Sequence, residues 1–280
     1  MNTICICGAG TMGSGIAQVS ANAGFKTILY DVSEEIIQKA KAKIERDLQA
    51  LADKQKITAG KKESILQQIV FTSDIKNCIA DAIIEAVIEK LEVKTSLFNQ
   101  LAALNSDETI LATNTSSLSV SAIAKEIPKP ERVAGLHFFN PAPVMKLVEV
   151  VRGEQTNEET ILKLVELTKT FGKTPVVCKD SPGFIVNRVA RPYYIESLRL
   201  IEEGIADFET IDRLLESRGF KMGPFKLMDL IGNDINYAVS CSVYEQLNKP
   251  ERLKPSPIQK EKVEKGELGK KIGKGYYDYK

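Results

Sequence analysis

The sequence is poor in the side chains that most often carry chemistry near neutral pH. Its 280 residues hold a single histidine, His137, no tryptophan and five cysteines. Histidine is the commonest general base in that range, so any imidazole-based proton transfer rests on His137, and no second histidine remains for a serine or cysteine triad. The cysteines, at positions 5, 7, 78, 178 and 241, are odd in number and lack the paired spacing of a metal site. They read as reduced thiols, with Cys5 and Cys7 in an apolar strand, and no metal is expected. A charge excess is missing too: 38 basic against 37 acidic side chains leave a net charge of +1, without the broad basic surplus that grips a nucleic acid. No apolar run approaches the ~18 residues of a membrane span, and the N-terminus enters a strand without a charged leader. The expectation is a cytoplasmic protein with neither nucleic acid nor membrane as partner.

What is present is enough chain for one large domain or two ordinary ones. Strands are expected at Thr3–Cys7, Thr27–Tyr30, Val70–Thr72, Ile83–Val87, Thr109–Thr113, Val133–His137, Met145–Val151 and Thr174–Val177. Amphipathic stretches such as Leu91–Leu104 and Glu158–Phe171 alternate with them, which argues for a mostly parallel sheet covered on both faces. Past Ser181-Pro182-Gly183 the strand pattern ends, and Phe184–Glu203, Phe208–Ser217 and Asn233–Leu247 read as helices. The fold class is therefore α/β: a Rossmann-like doubly wound sheet over residues 1–182, followed by an all-α domain over 183–280.

About forty residues separate the second strand from the third, and they read as two helices around Thr58-Ala59-Gly60 that should project from the sheet. Residues 39–62 carry eight basic and three acidic side chains, a local balance of +5 that leaves −4 for the rest of the chain. That stretch reads either as a solvated lysine-rich face or as a clamp for a phosphorylated substrate.

Gly8-Ala9-Gly10-Thr11-Met12-Gly13 follows the first strand directly and opens a helix. The first glycine permits the tight turn, the second lets the backbone approach a pyrophosphate, and the third allows close helix-to-strand packing. The helix start adds unpaired N–H groups and a positive dipole end. Asp31 ends the next strand, where a carboxylate accepts hydrogen bonds from ribose hydroxyls. A dinucleotide site follows, with NAD favoured because Asp31 repels a 2′-phosphate; nearby lysines keep NADP open.

His137 falls at the carboxyl end of its strand, where open α/β sheets place ligands. If the strands on either side of the Phe138–Pro143 turn pair about Pro143, position 137 lies opposite 149, and Glu149 can fix the imidazole tautomer and stabilise the imidazolium. The segment Thr113-Asn114-Thr115-Ser116-Ser117 either feeds hydroxyl and amide groups to the same crevice or caps a helix over Val120–Ile127. Asn187, early in the helical domain, either caps and packs or faces a cleft.

Gly-Ala-Gly-Thr-Met-Gly at 8–13, Asn-Thr-Ser-Ser-Leu at 114–118, the run from His137 to Val150, Pro-Gly-Phe-Ile-Val-Asn-Arg at 182–188 and Met-Gly-Pro-Phe at 222–225 closely resemble the L-3-hydroxyacyl-CoA dehydrogenase family, through to the terminal Gly-Lys-Gly-Tyr-Tyr-Asp-Tyr. The resemblance implies a catalytic pair of His137 and Glu149, with Ser116 and Asn187 contacting substrate and cofactor. It implies cofactor contacts at Glu89, Lys94, Asn114, Asn140 and Lys271, a coenzyme A contact at Lys54, an acyl-coenzyme A substrate, and a homodimer through the helical domain. Asp47 stands where some relatives have serine, so that contact is not carried over. A stand-alone chain of this length is similar to bacterial 3-hydroxybutyryl-CoA dehydrogenases, which favours a short acyl group. Against this, Ala190-Arg191-Pro192-Tyr193-Tyr194 is similar to 3-hydroxyadipyl-CoA dehydrogenases, with Arg191 either pairing with a distal carboxylate or an ordinary surface or interdomain residue. A non-catalytic NAD-binding protein is the remaining class, and intact His137, Glu149, Ser116 and Asn187 count against it.

Overall fold

A computed structural model describes residues 1–279. The chain forms two compact units, Met1–Asp180 and Ser181–Lys280. The first contains β1 (Thr3–Cys7), β2 (Lys26–Tyr30), β3 (Ile69–Thr72), β4 (Ala82–Glu85), β5 (Ile110–Thr113), β6 (Val133–Phe138), β7 (Leu147–Arg152) and β8 (Thr174–Lys179). They make one sheet in the order β3-β2-β1-β4-β5-β6-β7-β8. The strands from β3 across to β6 are parallel, β7 is antiparallel to β6, and β8 is parallel to β7. No crossover helix lies between β6 and β7, so their short connection can only return the chain antiparallel.

The strands are joined by α1 (Thr11–Asn22), α2 (Glu34–Asp53), α3 (Ala59–Gln67), α4 (Leu91–Leu104), α5 (Val120–Ala124) and α6 (Glu158–Thr170). Alternate residues of the central strands enter two separate cores. Ile4, Ile6, Leu29 and Ile84 pack with Ile16, Ile44 and Leu164 on one face. Cys5, Cys7, Ile28 and Ile83 pack with Phe98, Leu101 and Ile123 on the other. Burial on both faces is why these strands are nearly continuous apolar runs.

The two-helix excursion does not stand off from the sheet along its length. Ile37, Ala40, Ile44 and Leu48 of α2 and Ile65 of α3 are buried in the sheet's own core, and the Lys61 ammonium donates to the Asn22 carbonyl at 3.0 Å. The helical period of those apolar residues ties one face down, and the tip around 53–61 is the stretch that buries no side chain, with Ile57 half-buried. Part of its basic excess is neutralised locally, Lys39 pairing with Glu35 and Lys43 with Asp47, each at 2.5 Å.

The β6–β7 turn is held by a residue that the sequence reading did not single out. Lys173, 8% exposed, donates to the carbonyls of Ala142 at 2.6 Å, Pro143 at 3.2 Å and Met145 at 2.8 Å. Burial holds its ammonium below the ordinary lysine range.

In the second unit the sequence-derived helices appear as α7 (Val186–Glu202), α8 (Phe208–Ser217) and, after α9 (Pro224–Ile231), as α10 (Asn233–Gln246), with α11 (Pro257–Glu264) beyond. Neither α9 nor α11 was expected. Both are eight residues long and begin with proline, a start signal for a helix rather than only a break. Two buried aspartates tie this unit together: Asp212 accepts from the Phe225 and Lys226 amides and the Tyr277 hydroxyl, and Asp229 from the Tyr276 and Tyr277 amides. Among the described residues no helix is long and apolar enough to cross a membrane.

Lys173→Met is expected to lower unfolding stability by about 1–3 kcal/mol, because the turn carbonyls lose their shared donor. A urea melt reads this as a lower midpoint at unchanged slope, and an unchanged midpoint refutes the assignment.

Candidate active site

The carboxyl ends of the parallel strands carry the chemistry. At the end of β1, Gly8 has φ +101° and its N–H donates to the Tyr30 carbonyl at 2.8 Å. The three glycines divide their work as the spacing implies. A Cβ on Gly8 would lie 2.6 Å from the Ala86 oxygen and one on Gly13 would lie 1.7 Å from the Gly8 oxygen, whereas one on Gly10 would meet nothing within 4 Å. Gly8 and Gly13 are thus fixed by the protein's own packing, and Gly10 faces open space. Thr11 and Met12 begin α1, which has no side-chain cap and no acidic residue in its first turn. By contrast, α2, α3 and α6 are each capped by a side chain. The loop therefore presents N–H groups suited to a diphosphate. Asp31 accepts from the Ala9 amide at 2.9 Å and the Ser33 amide at 3.1 Å, which sets its carboxylate beside the loop with capacity left for ribose hydroxyls.

Next along this edge is a buried ion network. Lys94, 1% exposed, sits 2.7 Å from a Glu85 oxygen and 3.1 Å from a Glu89 oxygen. Glu85 also accepts from the Thr113 hydroxyl at 2.7 Å and the Val87 amide at 2.7 Å. Glu89 accepts from the Thr115 hydroxyl at 2.6 Å, the Ser116 amide at 3.0 Å, and the Ser117 amide and hydroxyl at 3.1 and 2.9 Å. Burial raises the Glu85 carboxyl above its usual range in spite of Lys94. Burial pushes Glu89 the same way, but the Lys94 charge and the hydroxyl donors win and hold it low. Lys94 thus acts inside the network that shapes the 113–117 loop. Helix capping is not that loop's task, because Ser119 caps α5 through the Ala122 amide at 3.1 Å. Asn114 reaches the next strand, accepting from the Phe138 amide at 2.8 Å.

That amide belongs to the residue after His137, which pairs with Glu149 directly across the β6–β7 ladder. The His137 Nδ1 lies 2.7 Å from a Glu149 carboxylate oxygen, with the histidine 5% and the glutamate 0% exposed. The Phe139 ring stands 4.6 Å from the imidazole, centroid to centroid. Asn140 follows at the exposed start of the turn. A Cβ on Gly15 of α1 would come within 3.2 Å of Ala142 and Pro143, so the turn that Lys173 braces lies against the helix that opens the nucleotide loop.

The remaining candidates lie elsewhere. Lys54 is exposed just past α2. In the second unit, Asn187 is half-buried early in α7, and Lys271 pairs with Asp234 at 2.7 Å. Arg191 is not a surface residue: it is 3% exposed, donates to the Asn187 and Asn236 carbonyls and the Ser240 hydroxyl at 2.9 Å each, and lies 5.0 Å over the Tyr194 ring. Burial lowers its guanidinium to about 10. The sequence reading missed Glu85 and Lys173; an acidic residue ending an apolar strand, as Glu85 does, was the available signal.

Gly10→Ala is expected to keep wild-type stability and to weaken NADH binding at least about tenfold, one hydrogen-bonded phosphate contact to charge being worth about 1.5–3 kcal/mol. Gly13→Ala should instead lower stability, because α1 must move off β1. Fluorescence titration with NADH and a thermal melt separate the two, and equal stability loss in both refutes the division of roles.

Known proteins resemble this chain along its whole length. The NAD-binding domain of 3-hydroxyacyl-CoA dehydrogenase matches residues 3–181, and that enzyme's C-terminal domain matches residues 183–279. The chain is 51% identical to 3-hydroxyadipyl-CoA dehydrogenase of Escherichia coli, covering 100% of this chain but 59% of that longer protein. It is 41% identical to the mitochondrial hydroxyacyl-coenzyme A dehydrogenase of Sus scrofa, over 99% of this chain and 91% of that one. The crystal structure of (S)-3-hydroxybutyryl-CoA dehydrogenase from Ralstonia eutropha has a TM-score of 0.95 at 36% identity, covering 100% of this chain and 99% of that one. With the two domain models together matching residues 3–181 and 183–279, the chain belongs to the 3-hydroxyacyl-CoA dehydrogenase family.

Proposed function

We propose that this protein interconverts (S)-3-hydroxyacyl-CoA and 3-oxoacyl-CoA with NAD(H), acting on short acyl groups such as 3-hydroxybutanoyl and acetoacetyl. The observation that carries this reading is the buried imidazole–carboxylate pair at 2.7 Å, on the same sheet edge as a loop that fits a dinucleotide. Gly8, Gly10, Gly13, the first turn of α1 and Asp31 would hold the cofactor, which when bound exchanges a hydride with the substrate's C3.

The chain's own work is proton transfer and orientation. With Nδ1 turned to Glu149, the His137 proton exchange takes place at Nε2, which removes the 3-hydroxyl proton in oxidation and returns it in reduction. Glu149 fixes the tautomer and stabilises the imidazolium, more strongly because both groups are withdrawn from water. Ser116 and Asn187 hold the substrate oxygens in this reading, and the exposed Lys54 and Lys56 at the tip past α2 meet a coenzyme A phosphate. Asn140 and Lys271 complete the cofactor contacts. Exposed Val189, Leu214 and Ile235 in the second unit, at 71%, 60% and 51%, need cover, which supports a homodimer through that unit. A cytoplasmic setting is supported by five unpaired cysteines.

A second acyl group has a specific observation behind it: the Escherichia coli relative at 51% identity is a 3-hydroxyadipyl-CoA dehydrogenase. Turnover of acetoacetyl-CoA and 3-oxoadipyl-CoA, followed as NADH absorbance, decides between them. A higher kcat/KM on 3-oxoadipyl-CoA overturns the short-chain reading, and no turnover of either overturns the reaction. His137→Gln should lower kcat by about 10³–10⁴-fold and Glu149→Gln by about 10²–10⁴-fold, with NADH affinity kept; retained turnover in His137→Gln refutes the base. Lys54→Glu should raise KM for coenzyme A thioesters by about three- to tenfold and leave truncated pantetheine thioesters unaffected. An equal change on both refutes the phosphate contact.

A further inference from the structure

Three sulfurs, two from one strand and one from a segment some seventy residues on, meet beneath the nucleotide loop. Cys5 and Cys7 point from the same face of β1, and Cys78 arrives from the segment that precedes β4. All three are 0% exposed. Their Sγ atoms lie within 4.8 Å of one another, with Cys5 and Cys7 at 3.8 Å.

That spacing has a meaning for coordination chemistry. An ion bound by three sulfurs at about 2.3 Å in a trigonal plane sets them about 4 Å apart. The two separations involving Cys78 therefore need to shorten by no more than about 0.8 Å from the observed 4.8 Å limit, which rotation about side-chain bonds supplies. The three belong to a core cluster that also holds Ile28, Ile83, Leu97, Leu111 and the Tyr30 ring. A closed, all-sulfur, low-coordinate site suits soft d¹⁰ cations and disfavours magnesium, calcium and manganese, which need oxygen ligands.

We propose that Cys5, Cys7 and Cys78 form a three-sulfur binding site for one thiophilic cation, copper(I) being the ion whose softness and low coordination number fit it. Each thiol that becomes a thiolate ligand releases one proton to solvent, and no electron is transferred. This site is separate from the oxidoreductase centre and does not depend on the acyl group assigned above.

The test is anaerobic titration of the whole reduced chain with copper(I) against a chromogenic chelator, with X-ray absorption counting the sulfur neighbours and circular dichroism following the fold. The expected result is one copper(I) per chain with three sulfur ligands and the fold retained. Cys78→Ser and, separately, Cys5→Ala should each lower the affinity at least about a hundredfold, whereas Cys178→Ser and Cys241→Ser should leave it unchanged. The proposal is overturned by no uptake in the native chain, by uptake that Cys78→Ser and Cys5→Ala leave intact, or by uptake accompanied by loss of helical signal. If one of those two variants fails to fold, the other decides.

Discussion

The hydrogen-bonded register between β6 and β7 is the constraint on which the active edge depends. It sets His137 and Glu149 opposite each other, although twelve residues of chain separate them. A carboxylate withdrawn from water costs several kcal/mol unless it is paired, and Glu149 is wholly buried. The imidazole, the base of the proposed reaction, is therefore also a partner that makes this burial tolerable. Lys173 serves the same register from outside, satisfying the carbonyls of the connecting turn, and the turn in turn rests on α1. One packed unit thus links the base to the helix that opens the nucleotide loop.

Along the same edge the Glu85–Lys94–Glu89 network does for the 113–117 loop what a ladder does for a strand. A single ammonium shared by two carboxylates leaves both anchored, and Glu89 then gathers donors from three consecutive residues. The loop is shaped from beneath by charge instead of by capping the helix that follows it.

Much of this edge was readable in the sequence because it rests on local rules. The glycine spacing after an apolar strand placed the nucleotide loop, and counting outward from Pro143 paired His137 with Glu149, since antiparallel register follows from turn position. What escaped depends on contacts between distant positions. Lys173 looks like any lysine between helix and strand until its three carbonyl partners are seen, and Cys78 gives no sign that it joins Cys5 and Cys7. The two-helix excursion was expected to project, yet the apolar period of α2 was enough to bury one face. Helices α9 and α11 went unread, although each begins with a proline that is itself a helix-start signal.

The placement of the base on paired strands also bears on how such an enzyme diversifies. A side chain on a loop drifts whenever the loop gains or loses residues, but His137 is held opposite Glu149, and Glu149 is itself paired on its other side with Val176. If the proposed chemistry holds, changes of acyl group arise at positions that meet the far end of the substrate, while the His137–Glu149 pair remains a fixed point around which specificity is free to vary.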